Sequence, residues 1–577
     1  PGGKLSAFRD EQGSTVEHGM HGWWHQYFNF FDLMKRAWIP EETFLEPIPS
    51  TVVFSDGERR RQVEIKRRLP TPLFMLKHMA AMGRIKFWDA VSAIRPFLRM
   101  FSFDHEKDFD RFDKLSIYAY LAQCGATRNF HDFAMSPFAR SFAFSSTEEL
   151  SAGSVMSAIN FYFIGHQEDV EVRWCRGNPQ ELVIDPIVRF IEARGGKVRT
   201  GTTAAAIEAG RGGVKGVRLG SGGNEVRVPL TQVPASGTLV WDTSSGEKIL
   251  IRRTGDSFSA LSATCTHQGC PVAPSAAGDS YDCPCHGGRF SLDGAVLRGP
   301  PERPLESLPV RKEGEELIVG APGELLTGDF YVLAAEVEAA KRILRNSPGL
   351  LRHETFRRIL NLESTEVMVA RLWLDKKVPE DLYSGVFADL GFLDNYFILS
   401  NFQDEFLPYR AEGSVVEVQM YVVKDYIHLS PAELLKLILS ELGQRIPELA
   451  GAAVRKWHLL KHADLFNHFN AGSHEHRPPT KSPFANFYFA GDWLRLHRNW
   501  WMMEKAVVSG RLAANEILKT RGEPPVQVFE PRPDEFFTRV VKWVYRAARA
   551  VKLSFYDLLG YRPLPPAGPL EGPPPHA

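Results

Sequence analysis

An excess of charge of either sign is missing from this chain. Its 577 residues hold 69 Lys plus Arg against 69 Asp plus Glu, a formal net charge of +0, so nothing draws it to nucleic acid. Long hydrophobic runs are missing too: no stretch reaches the roughly 18 apolar residues that a bilayer-spanning helix needs. Cysteine is scarce, six in all, and only Cys124 and Cys175 stand outside one short stretch. That scarcity argues against a secreted scaffold built on disulfides and fits a reducing compartment. The two outlying thiols read as buried structural residues. No internal repeat and no signal peptide is visible. The chain opens Pro1-Gly2-Gly3-Lys4 without an initiator Met, as expected of a fragment or processed product whose targeting segment would lie upstream. What remains, 44 % hydrophobic and 24 % charged, is an ordinary globular composition. Its length suits on the order of three or four domains.

The other four cysteines fall in Cys265-Thr-His267-Gln-Gly-Cys270 and Cys283-Pro-Cys285-His286-Gly-Gly-Arg-Phe290. Two Cys/His pairs on separate loops offer two thiolates and two imidazoles. This resembles the ligand set of a Rieske 2Fe–2S cluster, in which thiolates hold one iron, histidines hold the other, and the neutral nitrogens raise the potential. The resemblance implies Cys265, His267, Cys283 and His286 as ligands. It also implies a Cys270–Cys285 disulfide tying the two loops, as in the cytochrome bc and bf type. Gly299-Pro300-Pro301-Glu-Arg-Pro304-Leu305 resembles the proline-rich loop that covers the cluster in that family. A four-ligand zinc site is the alternative, since Cys and His at such spacings also suit Zn²⁺. Zinc fingers do not predict the second cysteine pair, the Gly269 and Gly287 turns and the proline loop together.

This stretch interrupts a larger unit. Before it, the segments from Gly195 to Ile207 and from Gly213 to Leu219 read as a strand pair with glycine turns. A hairpin turn at 220–225 and the alternating Val226-Arg-Val228 follow. After it come the apolar strand Gly328 to Ala335 and the helix-like Glu336 to Leu344. The β-rich unit over 230–323 has legible strands at Thr238–Trp241, Glu247–Ile251, Phe258–Leu261 and Leu317–Val319. Residues 150–194 and 430–460 carry helical periodicity, with Ala432, Leu435, Ile438 and Leu442 at three- and four-residue steps. Residues 366–374 and 414–423 read as strands, and the Pro-rich sequence from 563 as a disordered tail.

Near the end stands Asn486-Phe-Tyr-Phe-Ala490-Gly491-Asp492-Trp, then Trp500-Trp501-Met-Met503-Glu504-Lys505-Ala506 leading to Ala514. An apolar strand runs into Gly-Asp, and a helix follows. An ordinary strand-to-helix crossover would look similar, but the segment resembles the flavin site of the amine-oxidase and phytoene-desaturase superfamily. That likeness implies Gly491 and Asp492 against the ribityl and pyrophosphate part of FAD, with Met503, Glu504 and Ala506 at a helix N-terminus aimed at the flavin. The chain start, Pro1 to Phe8 with Val16 to His21, resembles the segment after the family's first βαβ unit. It implies Gly2, Gly3, Lys4 and Gly19 as cofactor contacts and Ala204 against adenine. No Gly-x-Gly-x-x-Gly occurs, which the truncated start would explain. Within the superfamily, Glu17 to Asn29 resembles ζ-carotene desaturases and the carotene ring desaturase/methyltransferases.

Two basic, apolar stretches suit a lipid-dissolved substrate. One runs from Leu69 to Phe103. In the other, Phe537, Val540, Val541, Val544, Ala547, Ala548 and Val551 share a helical face opposite Arg539, Lys542, Arg546, Arg549 and Lys552. That is the pattern of an interfacial helix, or equally of one packed on the protein with a solvated face. His468, His474 and His476 read as a loop shaping the active-site mouth, with a His-x-His metal site as the alternative.

The expected architecture is an α/β FAD-binding fold of the glutathione-reductase type without its N-terminal βαβ unit, an α+β substrate domain and an inserted all-β Rieske domain. Its parts are 1–229, 230–323, 324–520 and a tail over 521–577 holding the amphipathic helix. The resemblance implies desaturation of a carotenoid-like hydrocarbon, with electrons passing from FAD to the 2Fe–2S cluster and on to a quinone or other acceptor. A cytoplasmic, peripherally membrane-associated protein with no nucleic-acid partner is expected. Two alternatives remain: an amine or amino-acid oxidase, with Trp500 and Trp501 caging a cation, and an electron carrier whose FAD site has degenerated.

Overall fold

The structure, a computed structural model, describes residues 2–46, 51–55, 60–64, 85–166, 168, 171–220, 226–243, 247–320, 324–387 and 391–558. The turn at 221–225, the first part of the Leu69–Phe103 stretch (69–84) and the tail from 563 lie outside them.

A seven-stranded sheet dominates, in the order Val454–Asn467, Ser364–Leu374, Ser414–Tyr421, Asn395–Ile398, Ser384–Phe387, Thr51–Ser55 and Arg60–Glu64. Its pairings are antiparallel except where Ser384–Phe387 meets Thr51–Ser55. Alternation along the strand sorts side chains to two faces. Met368, Ala370, Leu372 and Leu374 pack under the helix Pro431–Arg445 through Leu434, Ile438 and Leu442. Val367 and Val369 turn the other way, onto Val16, Tyr421 and Leu460, and that face carries the chemistry described below. Ser430 and Glu433 close a capping box at the helix start, satisfying its first free N–H groups.

The helical pattern read over 430–460 ends at Arg445, and Val454–Asn467 is a long strand. Its partner Ser364–Leu374 is buried on both faces, so the strand's apolar residues follow neither a clean helical nor a clean strand period. The region 150–194 is also interrupted. The helix Ala152–Ile159 gives way to a strand Val172–Trp174 paired with Gly22–Trp24, and helix resumes at Asp185–Glu192.

Tyr331–Leu333 pairs in parallel with Phe487–Phe489, and the helices Val337–Arg345 and Met502–Thr520 follow these strands. Ala204–Gly210, Gly213–Leu219 and Leu325–Leu326 form an adjoining three-stranded sheet. Only Ala204 onward is strand; the segment from Gly195 is not.

The inserted unit contains two four-stranded sheets: Thr238–Asp242 to Ser307–Leu308, and Ala273–Pro274 to Val296–Arg298. Val226–Pro229, read from sequence as a continuation of the host hairpin, pairs instead with Glu316–Val319 inside this unit. Val228 and Leu317 are fully buried there, and that burial sets the pairing.

Candidate redox site

The two Cys/His loops fold alike. The Cys265 N–H donates to the Cys270 carbonyl at 2.8 Å, and the Gly269 N–H donates back to the Cys265 carbonyl at 2.8 Å. In the second loop the Cys283 N–H donates to the Gly288 carbonyl at 2.8 Å, and the Gly287 N–H to the Cys283 carbonyl at 3.1 Å. Each turn closes through a glycine in the left-handed region, Gly269 at φ 76 and Gly287 at φ 71, where a side chain would be strained.

The loops bring Cys265 and Cys283 together, both buried, and set the rings of His267 and His286 with centroids 4.8 Å apart at 90°. The two thiols share a hydrogen bond that pushes Cys265 up and lowers Cys283. Nδ1 of both histidines is buried without a hydrogen-bond partner among the described residues. Burial, reinforced by His267 and Lys461, lowers His286 to about 4, so its ring is neutral, the form that ligates metal. Cys270 and Cys285 are joined as a disulfide with Cα atoms 6.5 Å apart, and their sulfurs lie within 4.8 Å of Cys283 Sγ. The proline loop covers the site: a Cβ on Gly288 would stand 2.7 Å from Pro301. Two paired thiols and two orphaned imidazole nitrogens fit a mixed-ligand iron–sulfur centre.

The second constellation joins the ends of the chain. Lys4 Nζ lies 3.3 Å from Asp492 Oδ2, and Asn467 Nδ2 donates to Asp492 Oδ1. Burial alone would raise the Asp492 carboxyl, but Lys4 and Asn467 outweigh it and hold the group below its ordinary range. Gly491 has φ 140, and a Cβ there would stand 2.6 Å from the Trp493 indole nitrogen. Its N–H donates to Ser509 Oγ at 2.8 Å, locking the turn to the following helix. Gly2, Gly3 and Gly19 all have positive φ. Asn467 Oδ1, His18 Nδ1 and His21 Nδ1 are buried without partners among the described residues. Orphaned polar atoms beside a charged pair mark where a polar group belongs, and they fit a flavin.

Sequence reasoning missed two residues beside Asp492. Arg477 is buried, donates to the Trp493 and His468 carbonyls, and is lowered to about 10 by burial. Lys505 is lowered to about 7 by burial and then by Arg477. A helix-start lysine inside a recognised motif was the available signal.

Several other expectations are redirected. Glu504 accepts the N–H groups of Asn29 and Phe30 and the Asn29 side chain, so it caps the helix Phe28–Arg36. Ala506 offers its carbonyl to Ser509, Met503 is half-buried, and Ala204 opens its strand opposite Leu219. His468, His474 and His476 diverge: His468 bonds Ser145, His474 stacks on Phe109 and His476 faces Glu475. Trp500 and Trp501 are buried, and the Trp501 N–H bonds Ser157, which leaves no open cage.

Between the two constellations runs a line of aromatic and basic side chains. Phe8 meets the His267 ring edge-on at 5.5 Å, and His18 meets His462 at 5.1 Å. Beside His18 in the chain, Glu17 pairs with buried Arg371, which also pairs with Glu417.

A family model described as flavin containing amine oxidoreductase matches residues 1–228 and 308–518, and one described as Rieske [2Fe-2S] domain matches residues 227–309. The carotenoid phi-ring synthase of Chlorobaculum tepidum is 31 % identical over 543 residues, covering 89 % of this chain and 83 % of its own. The 15-cis-phytoene desaturase of Synechococcus elongatus is 21 % identical over 528 residues and 90 % of each chain. Among solved structures, putrescine oxidase bound to putrescine has a TM-score of 0.51 at 12 % identity, covering 90 % of this chain and 91 % of that one, a likeness of fold alone.

Proposed function

The chain belongs to the flavin-containing amine oxidoreductases and carries a Rieske domain within that fold, and from this premise we propose that it oxidises a carotenoid-like hydrocarbon and passes the electrons through its own cluster. It is an FAD-dependent oxidoreductase. Bound, the flavin supplies a two-electron acceptor and the cluster a one-electron carrier, so electrons leave in single steps towards a quinone-class acceptor. Cys265 and Cys283 would hold one iron, and His267 and His286 the other. Gly2, Gly3, Lys4, Gly19, Gly491 and Asp492 would line the flavin.

One observation carries this reading. Residues 2–21 serve both centres, with Lys4 on Asp492 and Phe8 on His267, so one short segment links the two redox sites. The substrate class rests on the relatives, which are carotenoid enzymes by name. An uncharged hydrocarbon gives acid–base residues nothing to grip, which leaves positioning to an apolar site. The closed tryptophans give a cationic substrate no cage, and the amine-oxidase alternative has only the family description and a likeness of fold behind it. The decisive experiment is anaerobic addition of carotenoid substrate to full-length protein loaded with both cofactors. Flavin bleaching followed by a rhombic Rieske EPR signal is expected; a cluster that stays oxidised while the flavin bleaches refutes the electron path.

The membrane collects such a substrate, and two helices support contact with it. No helix among the described residues is long and apolar enough to cross a membrane. The helices Phe87–Ser102 and Phe536–Leu558 pack together and expose Phe87, Trp88 and Ile94 on one, and Phe536, Trp543, Val544 and Val551 on the other. On the C-terminal helix Lys542 turns inward, while Arg539 and Arg546 remain exposed. Lys542 bonds Asn160 and Asp534, and Arg546 reaches the Ser102 carbonyl. The exposed apolar residues of the two helices, beside exposed Arg539 and Arg546, make a patch that suits an interfacial surface.

A further inference from the structure

His18, half-buried, and His462, buried, are imidazoles with no acid–base task in the reading above. Each keeps one buried nitrogen, Nδ1 of His18 and Nε2 of His462, without a hydrogen-bond partner among the described residues. A phenylalanine would fill either space without that penalty. Their rings meet at 5.1 Å with planes at 63°.

Both rings are tied to the flavin motif by their own chain neighbours. His18 precedes Gly19, and its Nε2 lies 3.1 Å from Ser6 Oγ, which donates to the Gly3 carbonyl at 2.7 Å. Gly3 in turn adjoins Lys4, the partner of Asp492. His462 lies on the strand Val454–Asn467, whose last residue also bonds Asp492. On the cluster side, Phe8 meets the His267 ring edge-on at 5.5 Å and pairs across its hairpin with Val16, two residues before His18; His286 Nε2 is buried without a partner among the described residues. The host domain therefore touches a candidate iron ligand through Phe8, and the segment that carries Phe8 also reaches the flavin motif through Lys4.

We propose that the His18–His462 pair is the contact through which the flavin site and the cluster exchange electrons, the two rings being positioning residues that shorten the gap between the centres. This rests on the electron path proposed above. For each substrate oxidised, two electrons cross singly. Each would convert one ferric iron to ferrous before a quinone-class acceptor removes it; the two protons lost from the substrate pass to solvent, and the quinone takes up two as it becomes quinol.

The test uses the full-length protein with both cofactors. The flavin is photoreduced without oxygen, and cluster reduction is followed by freeze-quench EPR. His18→Leu and His462→Leu should slow flavin-to-cluster transfer about two- to thirtyfold, the range of coupling changes along a physical network. The EPR line shape, cluster potential and flavin content should stay at native values. The double variant should be little slower than either single one, since both interrupt one step. If a leucine variant loses cluster or flavin, His18→Phe and His462→Phe decide: they should keep both cofactors and transfer faster than the leucine variants. Native transfer rates in the leucine variants, or cofactor loss in the phenylalanine variants as well, would overturn the proposal. Absence of transfer in the unmodified protein would overturn the electron path itself.

Discussion

Lys4 Nζ stands 3.3 Å from Asp492 Oδ2 across 488 positions of chain. The opening segment therefore depends on the closing strand–helix motif. Lys4→Met removes a part-buried charged hydrogen bond worth about 1.5–3 kcal/mol, and FAD affinity should fall about ten- to a hundredfold. The pH dependence has a definite sign. Asp492 is depressed below its ordinary 3.8, so its contribution is present above that value and is lost as pH falls through the depressed one. Acid release of flavin, followed by its fluorescence, should begin at higher pH in Lys4→Met than in the native protein. Coincident release curves would show that the pair does not hold the site.

The motifs that carry local chemistry were legible in the sequence, because Cys265-x-His267 and Cys283-x-x-His286 depend on residue types a few positions apart. The same holds for Gly491-Asp492, whose strand and helix are contiguous. What was hidden depends on long-range pairing. Val226–Pro229 reads equally well as a host strand until Glu316–Val319 is seen beside it. Nothing local marks Arg371 as the partner of Glu17, or His462 as the neighbour of His18. Glu504 sits inside a flavin motif yet caps a distant helix, a role visible only in three dimensions.

The cluster loops predict their own failure modes. Cys265→Ser should abolish the Rieske EPR signal. His267→Cys should lower the potential, since an anionic thiolate stabilises the oxidised irons. The Cys270–Cys285 bridge closes a loop with a sequence separation of 15, and removing such a link typically costs about 3 kcal/mol. Cys270→Ser with Cys285→Ser should therefore lower the melting temperature of the inserted domain while leaving the ligand set in place. An unchanged melting curve would contradict this.

Arg371 is buried between Glu17 and Glu417, donates to both and also reaches the Thr15 carbonyl. Removing one partner strands the rest. Arg371→Met leaves two buried carboxylates without their cation and should cost about 3–5 kcal/mol in denaturant unfolding. Adding Glu17→Gln and Glu417→Gln should recover most of the loss, because the stranded charges go with it. A triple variant as unstable as the single one would show that Arg371 acts by shape rather than by charge.

The exposed faces of the helices Phe87–Ser102 and Phe536–Leu558 give the membrane prediction. Phe87, Trp88 and Trp543 are each at least 70 % exposed, and they lie on two helices packed side by side. Withdrawing a large apolar side chain from water is worth about 1.5–3 kcal/mol when complete. Three such residues inserted half-way give about 3 kcal/mol, or roughly a hundredfold in binding. Lys542 is already neutralised by Asp534 at 2.7 Å, so charge contributes less than composition suggests. Phe87→Ser, Trp88→Ser and Trp543→Ser together should release the protein from liposomes, including uncharged ones, with little change in flavin or cluster content. Raising the salt should matter less than these substitutions, because apolar insertion is not screened whereas attraction of surface cations is. If the triple variant stays on liposomes and salt alone removes the native protein, the contact is electrostatic and lies elsewhere on the surface.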